Sequence, residues 1–408
     1  MRKEIYDYEE RLRRYRRIIK RLRNGELALR FLDHLSALGL SVARVSKYAS
    51  HLPPLLRVID FEPAEATRQD VEKVVAWINN QPFKEWTKHD YKLVLRKFIQ
   101  YAKHGSCDRN IPMPPEVGWI KLRVKEKDSR VTPDSLLTKE EFETIVKATE
   151  NPRDKALVYV LFEAALRPGE LLGMTVGSVE FRDKYCLITV NGKTGVKRIP
   201  LVVSFKPLLD WLENHPCRNN PKAPLWASFS NTNKGGGLCY KRFRLLIKRL
   251  AKKAGLKKDV WPYLFRHSTL TNLAKVFTEA RLEQYAGWVH GSKMSRRYVH
   301  FSARDLEDAV LELHGFRKQD DAEGVLKLIE CPRCGSQNPP GNVYCSFCGF
   351  LLDRKAAIKM EMEERRRDEM LIQRLEKMAK RLEDLEQIVR TLFGDKAESY
   401  QKASSSAL

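Results

Sequence analysis

The sequence predicts a mainly α-helical chain of several domains with one small β-sheet, followed by a short cysteine-rich ribbon and a long terminal helix. Three observations predict it. Apolar residues recur at steps of three and four along most of the chain, which is the helical period. One pair of β-rich runs meets at Asn191-Gly192, a favoured hairpin dipeptide. Four of the 8 cysteines fall in two Cys-x-x-Cys-Gly units. At 408 residues the chain exceeds what one hydrophobic core usually serves.

Residues 1–23 read as an N-terminal basic helix, with Ile5, Tyr8, Leu12, Tyr15, Ile19 and Leu22 spaced by three and four among Arg and Glu. Its charged face suits a DNA backbone, another subunit or plain solvent. Residues 24–105 form a helical domain with helices over 26–38, 42–58, 64–80 and 88–103, and with joints at Ser41, Pro53-Pro54, Pro63 and Gln81-Pro82. Residues 106–135 are rich in Pro and charge and read as an extended linker.

A second domain spans 136–318. It opens with the capping box Thr138-Lys-Glu-Glu141, and an apolar helix over 156–166 delivers Arg167. Pro168 and Glu170 then fit a helix start, where Glu170 pairs with a nearby cation. Strands over 185–190 and 196–203 make the hairpin, with Lys193 at its tip and Lys197 and Arg198 read as backbone contacts or surface charge. A helix over 206–214, a short strand over 223–229 and a flexible stretch over 231–237 come next. The helix over 240–253 pairs an apolar stripe with a basic one carrying Lys241, Arg242 and Arg244, a pattern suited to lying along a DNA groove. An acidic, apolar helix follows over 303–314.

Residues 326–352 hold Cys331, Cys334, Cys345 and Cys348. Two knuckles of this spacing offer four thiolates to one tetrahedral zinc ion with no open position, a structural site for a fold too small to hold itself. Over 354–394, Leu371, Leu375, Met378, Leu382, Leu385, Val389 and Leu392 alternate steps of four and three. That is a heptad seam fit for an oligomerising coiled coil, with a helix packed back on the ribbon as the alternative. Residues 395–408 read as a disordered tail.

The formal net charge of +23 points to a polyanionic partner, with double-stranded DNA the natural candidate. No apolar run approaches a membrane span and the first residues lack the hydrophobic centre of a signal peptide, so a cytoplasmic protein is expected.

The chemistry concentrates in Tyr263-Leu-Phe-Arg-His267 and in the run from Gly287 to Tyr298, joined by Arg167 and Lys193. A tyrosine hydroxyl, with a pKa near ~10, needs an electron-poor target and cationic neighbours to act as a nucleophile. Two guanidiniums match the equatorial oxygens of a phosphodiester under attack. A desolvated lysine can protonate a departing alkoxide. Attack on a DNA phosphate is the reaction implied.

The order Arg167, Lys193, Tyr263-x-x-Arg266, Trp288, Tyr298, set in Leu-Arg-Pro-Gly-Glu-Leu, Phe-Arg-His-Ser and Gly-Trp-x-x-Gly-Ser-x-Met-x-x-x-Tyr-x-His, resembles the tyrosine recombinases, or phage-integrase family, in their archaeal and Xer-like forms. The resemblance covers roughly residues 25–315. It implies a core-binding domain ahead of a mixed α+β catalytic domain, and a site-specific recombinase or integrase that needs no catalytic cofactor. Tyr298 would form a 3′-phosphotyrosyl link and release a 5′-hydroxyl, Arg167 and Arg266 would brace the phosphorane, and Lys193 would protonate the leaving oxygen. Tyr263 and Trp288 would donate hydrogen bonds to the phosphate. It further implies four protomers on DNA and a Holliday-junction intermediate, and it makes Arg44, Lys47 and Tyr48 candidate phosphate contacts.

Tyr263 departs from the family, which usually has His or Lys there. A phenol is a poor general base, so the group that takes the proton from Tyr298 is left open. His267 reads as a buried structural histidine, His290 as a substitute near Trp288, and His300 as structural. The competing functions are a type IB topoisomerase-like enzyme and a non-catalytic DNA-binding regulator that keeps the recombinase fold.

Overall fold

A computed structural model describes residues 5–122, 124, 132–192, 195–292, 294–295, 298 and 326–393. The first domain is helical: α1 (Tyr8–Ile19), α2 (Gly25–Ala37), α3 (Val42–Val58), α4 (Arg68–Asn80), α5 (Glu85–His104) and the short α6 (Pro115–Gly118). Its core gathers Phe31, Leu52, Ile78 and Phe98, each 0% exposed, at roughly 1.5–3 kcal/mol per side chain removed from water. The expected joint at Pro53-Pro54 is absent. Both prolines lie inside α3, next to a turn in which Ser50 Oγ and His51 Nδ1 bond the Lys47 carbonyl. The linker also starts later than expected, because Val117 and Ile120 join this core, Gln100 donates to the Ile111 carbonyl at 2.8 Å and Lys103 pairs with Glu116.

The second domain holds α7 (Lys139–Lys147), α8 (Pro152–Glu163), α9 (Pro168–Leu172), α10 (Phe205–Glu213), α11 (Tyr240–Lys253), α12 (Pro262–Leu273) and α13 (Glu279–Ala286). Its strands β1 (Val179–Phe181), β2 (Cys186–Gly192) and β3 (Gly195–Leu201) form one antiparallel sheet in that order, and β1 was not expected. Pairing runs on to Gly192 opposite Gly195, so Asn191 and Gly192 belong to β2 and are not the turn; residues 193–194 lie outside the described residues. No strand forms over 223–229: Ala223 and Leu225 to Ser228 are buried, Phe229 is exposed, and the stretch makes two isolated bridges, Thr175 to Pro224 and Ala227 to Gly237. The Trp226 indole donates to the Leu171 carbonyl at 2.8 Å, which ties the stretch to α9. Helix α8 is buried from Ala156 to Phe162 and forms the spine on which the active-site helices pack.

The ribbon, a two-stranded hairpin of β4 (Ile329–Glu330) and β5 (Gln337–Asn338), sits on the outer face of α7 and α8. Tyr159 donates to the Pro340 carbonyl, Lys155 donates to Asn342 at 2.7 Å, and Lys147 pairs with Asp353. From there α14 (Arg354–Phe393) leaves the body, with Leu371, Leu375, Met378, Leu382 and Leu385 all exposed. The helix expected over 303–314 and the tail over 395–408 lie outside the described residues. Among the described residues, no helix is long and apolar enough to cross a membrane.

Candidate active site and metal centre

Three cations meet at one buried carboxylate. Glu170, 5% exposed, lies in the first turn of α9, where its Oε2 accepts the Arg167 backbone N–H at 3.0 Å. The same carboxylate pairs with the Arg167 guanidinium at 2.6 Å, the Lys197 ammonium at 3.0 Å and, more loosely, Arg266 at 4.0 Å. Three cations against one anion leave two positive charges, a match for a phosphorane in its transition state. Burial works against the charged carboxylate, but Lys197 and the Arg167 hydrogen bonds outweigh it and hold Glu170 below the usual carboxylate range. Gly192 permits the close approach: a Cβ there would lie 2.7 Å from Glu170 Oε1.

Arg266 is clamped. Its two terminal nitrogens donate to the Ala165 carbonyl at 2.6 Å and the Ala286 carbonyl at 2.9 Å, fixing α12 to the end of α8 and to α13. Ala165 adopts φ 48°, a left-handed conformation that costs an alanine roughly 1–2 kcal/mol. Burial, reinforced by the nearby Arg167, brings the Arg266 pKa down to about 10, while Glu170, Tyr298 and Tyr263 act in the opposite direction. Arg167 keeps 25% of its side chain open to solvent and Tyr263 is 38% exposed, so these two form the mouth of the site. Burial pushes the Tyr263 phenol above its ordinary pKa against the pull of Arg167 and Arg266, which suits a hydrogen-bond donor and not a base.

Tyr298 is 1% exposed and packs with Ala165, Leu270, Leu282 and Ala286. Trp288 stacks on it at 5.4 Å between centroids and lies beneath the Arg266 guanidinium at 5.7 Å. The Tyr298 hydroxyl and His267 Nδ1 are 2.8 Å apart. The loop leading to Tyr298 is held by Glu283, which accepts from the Gly291 and Ser292 backbone, and by Ser295 on Glu279. His290 pairs with Glu283 at 3.0 Å but is 90% exposed, away from the nucleophile.

The structure therefore brings together Arg167, Tyr263, Arg266, Trp288 and Tyr298, while Lys193 and His300 lie outside the described residues. Two readings are corrected. Lys197 is no surface charge: only 9% of its side chain is exposed, and burial brings its ammonium down to about 8 despite the pull of Glu170. The signal was present, since Lys197 shares the inward strand face of Ile199 and Leu201. Tyr48 is no phosphate contact: at 6% exposure it packs edge-on against Phe31. Arg44 and Lys47 are both exposed, and Lys47 pairs with Asp90. Lys241, Arg242 and Arg244 line the exposed face of α11. The N-terminal segment also reaches this region, with the Tyr6 ring tilted against Tyr240 at 5.1 Å and packed against Gly169, a placement that no motif signals.

In the ribbon the Sγ atoms of Cys331, Cys334, Cys345 and Cys348 all lie within 4.8 Å of one another, and Cys331 to Cys348 and Cys334 to Cys345 are each 3.7 Å. Four sulfurs at about 2.3 Å from a tetrahedral centre stand roughly 3.8 Å apart, so the residues fit a single structural ion. Asn338 braces them, donating to Cys345 Sγ and accepting from the Ser346 N–H.

Residues 135–304 match the model of the phage integrase family, and residues 331–352 that of a zinc-ribbon domain. The tyrosine recombinase XerA of Pyrococcus horikoshii is 25% identical over 287 residues, 70% of this chain and 93% of that protein. A tyrosine recombinase of Synechococcus elongatus is 33% identical over 128 residues, 31% of this chain and 39% of its own. Among solved structures, the XerH site-specific recombinase on a palindromic difH substrate aligns at a TM-score of 0.53 and 19% identity, covering 77% of this chain and all of that one. A lambda integrase tetramer bound to a Holliday junction aligns at 0.53 and 14% identity, over 67% of this chain and 76% of its own. At these identities the two structures speak to the fold alone.

Proposed function

The chain belongs to the phage integrase family, the tyrosine recombinases, and from that premise we propose that it is a site-specific DNA recombinase whose nucleophile is Tyr298. The Tyr298 oxygen attacks the scissile phosphorus, forming a phosphotyrosine link to the 3′ side and breaking the bond to the 5′ oxygen. Arg167 and Arg266 carry the charge of the phosphorane, with Glu170 and Lys197 fixing their positions. Tyr263 donates to a phosphate oxygen, and Trp288 holds the phenol against Arg266. Lys193 gives its proton to the departing 5′ oxygen. A 5′-hydroxyl from the partner duplex then reverses the step and reseals the strand, without ATP or a catalytic metal. The observation that carries this reading is a buried phenol set beside a cage of three cations around one carboxylate.

The ribbon would hold zinc through Cys331, Cys334, Cys345 and Cys348, and it stays outside the strand-transfer chemistry because it docks behind α7 and α8. DNA is gripped by both domains in the cytoplasm, with Lys241, Arg242 and Arg244 on α11 along the backbone. The exposed seam from Leu371 to Leu385 supports pairing of protomers through α14, and exchange between two duplexes calls for four of them.

A nicked duplex built on the inverted repeats that flank the gene tests the reading. The wild-type chain should form a covalent protein–DNA adduct, and Tyr298→Phe should bind the duplex and form none. Tight binding with no wild-type adduct would leave a non-catalytic regulator. Adducts on DNA of any sequence, with supercoil relaxation by a monomer, would leave a topoisomerase-like enzyme.

A further inference from the structure

Tyr263 stands where a basic side chain is usual, and burial raises its pKa, so it is no base for Tyr298. Glu170 is committed to Arg167 and Lys197. One turn after Tyr263 on the same face of α12, His267 places Nδ1 2.8 Å from the Tyr298 hydroxyl, and the two rings stack at 5.8 Å and 26°. We propose that His267 is the catalytic base of strand cleavage. The inference rests on the recombinase reading of Tyr298 and adds to it the destination of the proton.

The geometry favours this over a structural role. A histidine kept only for packing needs any backbone partner, whereas this ring meets the oxygen that must react. The neutral imidazole with its proton on Nε2 leaves Nδ1 as an acceptor, and the phenol has one proton to give. As the Tyr298 oxygen forms its bond to phosphorus, the O–H bond breaks and its proton passes to Nδ1. The electron pair of the breaking P–O bond leaves with the 5′ oxygen, which is protonated separately by a lysine. On resealing, the imidazolium returns the proton to the phenolate that departs from phosphorus. Tyr263 and His267 thus divide a task often held by one residue: the former addresses the phosphate and the latter the nucleophile.

The test is single-turnover adduct formation by wild type, His267→Ala and His267→Gln on two nicked substrates, one ordinary and one with sulfur replacing the bridging 5′ oxygen. A thiolate leaves without a proton, so the second substrate bypasses the acid step. Expected is a loss of about 10²–10⁴-fold for both variants on both substrates, with DNA binding unchanged and part of the His267→Ala rate restored by added imidazole. Lys193→Ala, by contrast, should regain its rate on the sulfur substrate. Gln is the safeguard if Ala disturbs the fold, because it can still hydrogen-bond the phenol but cannot remove its proton. A wild-type rate in His267→Gln, a loss erased by the sulfur substrate, or a loss that follows DNA binding would each overturn the role of His267 while the recombinase reading stands. Absence of wild-type adduct would take both down.

Discussion

Four thiols and three cations are each gathered about a point in this molecule, by opposite means. The cysteines come from one stretch, 331–348, and the cations from α9, β3 and α12. Like charges crowd together in both places, but only the cage carries its own counterion, the buried Glu170. A cluster with an internal counterion can stand ready for a transient ligand, and the surplus positive charge of the cage is what a phosphate answers. The four thiolates lie within 4.8 Å of one another, a crowding that a bound metal would relieve and on which so small a fold would depend. One cluster binds in order to react, and the other binds in order to exist.

Removing the metal should break that comparison most visibly. Structural zinc is worth on the order of 10 kcal/mol to a small ribbon, so a strong chelator, or Cys345→Ser, should unfold residues 331–352. Zinc in the purified chain, counted at one per protomer, should fall to none. The catalytic domain should lose the ribbon's docking contacts, among them Tyr159 to Pro340 and Lys155 to Asn342. Adduct formation by the chelated protein should therefore persist; its loss alongside zinc would mean that the two clusters are one cooperative unit.

The converse is Glu170→Gln, which removes the internal counterion and leaves three cations facing one another. Breaking a buried ion pair from one side costs about 3–5 kcal/mol, and Glu170 and Arg266 each expose only 4% of the side chain. Urea melts should show that loss in the catalytic domain while zinc content holds. Adduct formation should fall as the guanidiniums lose their fixed positions. Unchanged melting would mean that the cage is held by its carbonyl clamps alone.

Legibility in the sequence followed the distance over which each cluster is built. The ribbon was readable because its ligands are local and their spacing alone encodes the geometry. Most of the helices were readable as well, α3 to its end residues, since periodicity is a local signal. Arg167, Arg266 and Tyr298 were readable only as motif words, because nothing local tells that Ala165 turns its carbonyl toward Arg266 or that Gly192 brings β2 against Glu170. Tyr48 misled because a tyrosine beside Arg and Lys reads as a phosphate contact until its face of α3 is known. His267 reads as a structural residue in the sequence because its contact with the Tyr298 hydroxyl spans 31 positions. Lys197 is hidden for a smaller reason: its charge suggests the surface, while strand alternation puts it on the inward face with Ile199 and Leu201.

Lys197 also supplies the mildest test, in pH. Burial, reinforced by Arg266 and opposed by Glu170, takes its pKa from 10.5 to about 8. A lysine lowered in the folded state binds fewer protons there than in the unfolded chain across that interval, so stability rises as pH climbs from about 8 towards 10.5. Below the interval both states hold the proton and the penalty stands in full. A fall of this size corresponds to at most on the order of 3 kcal/mol. Wild type should gain stability relative to Lys197→Met over that range in urea melts. Parallel curves for the two chains would return Lys197 to the surface, and Glu170 would then face the arginines alone.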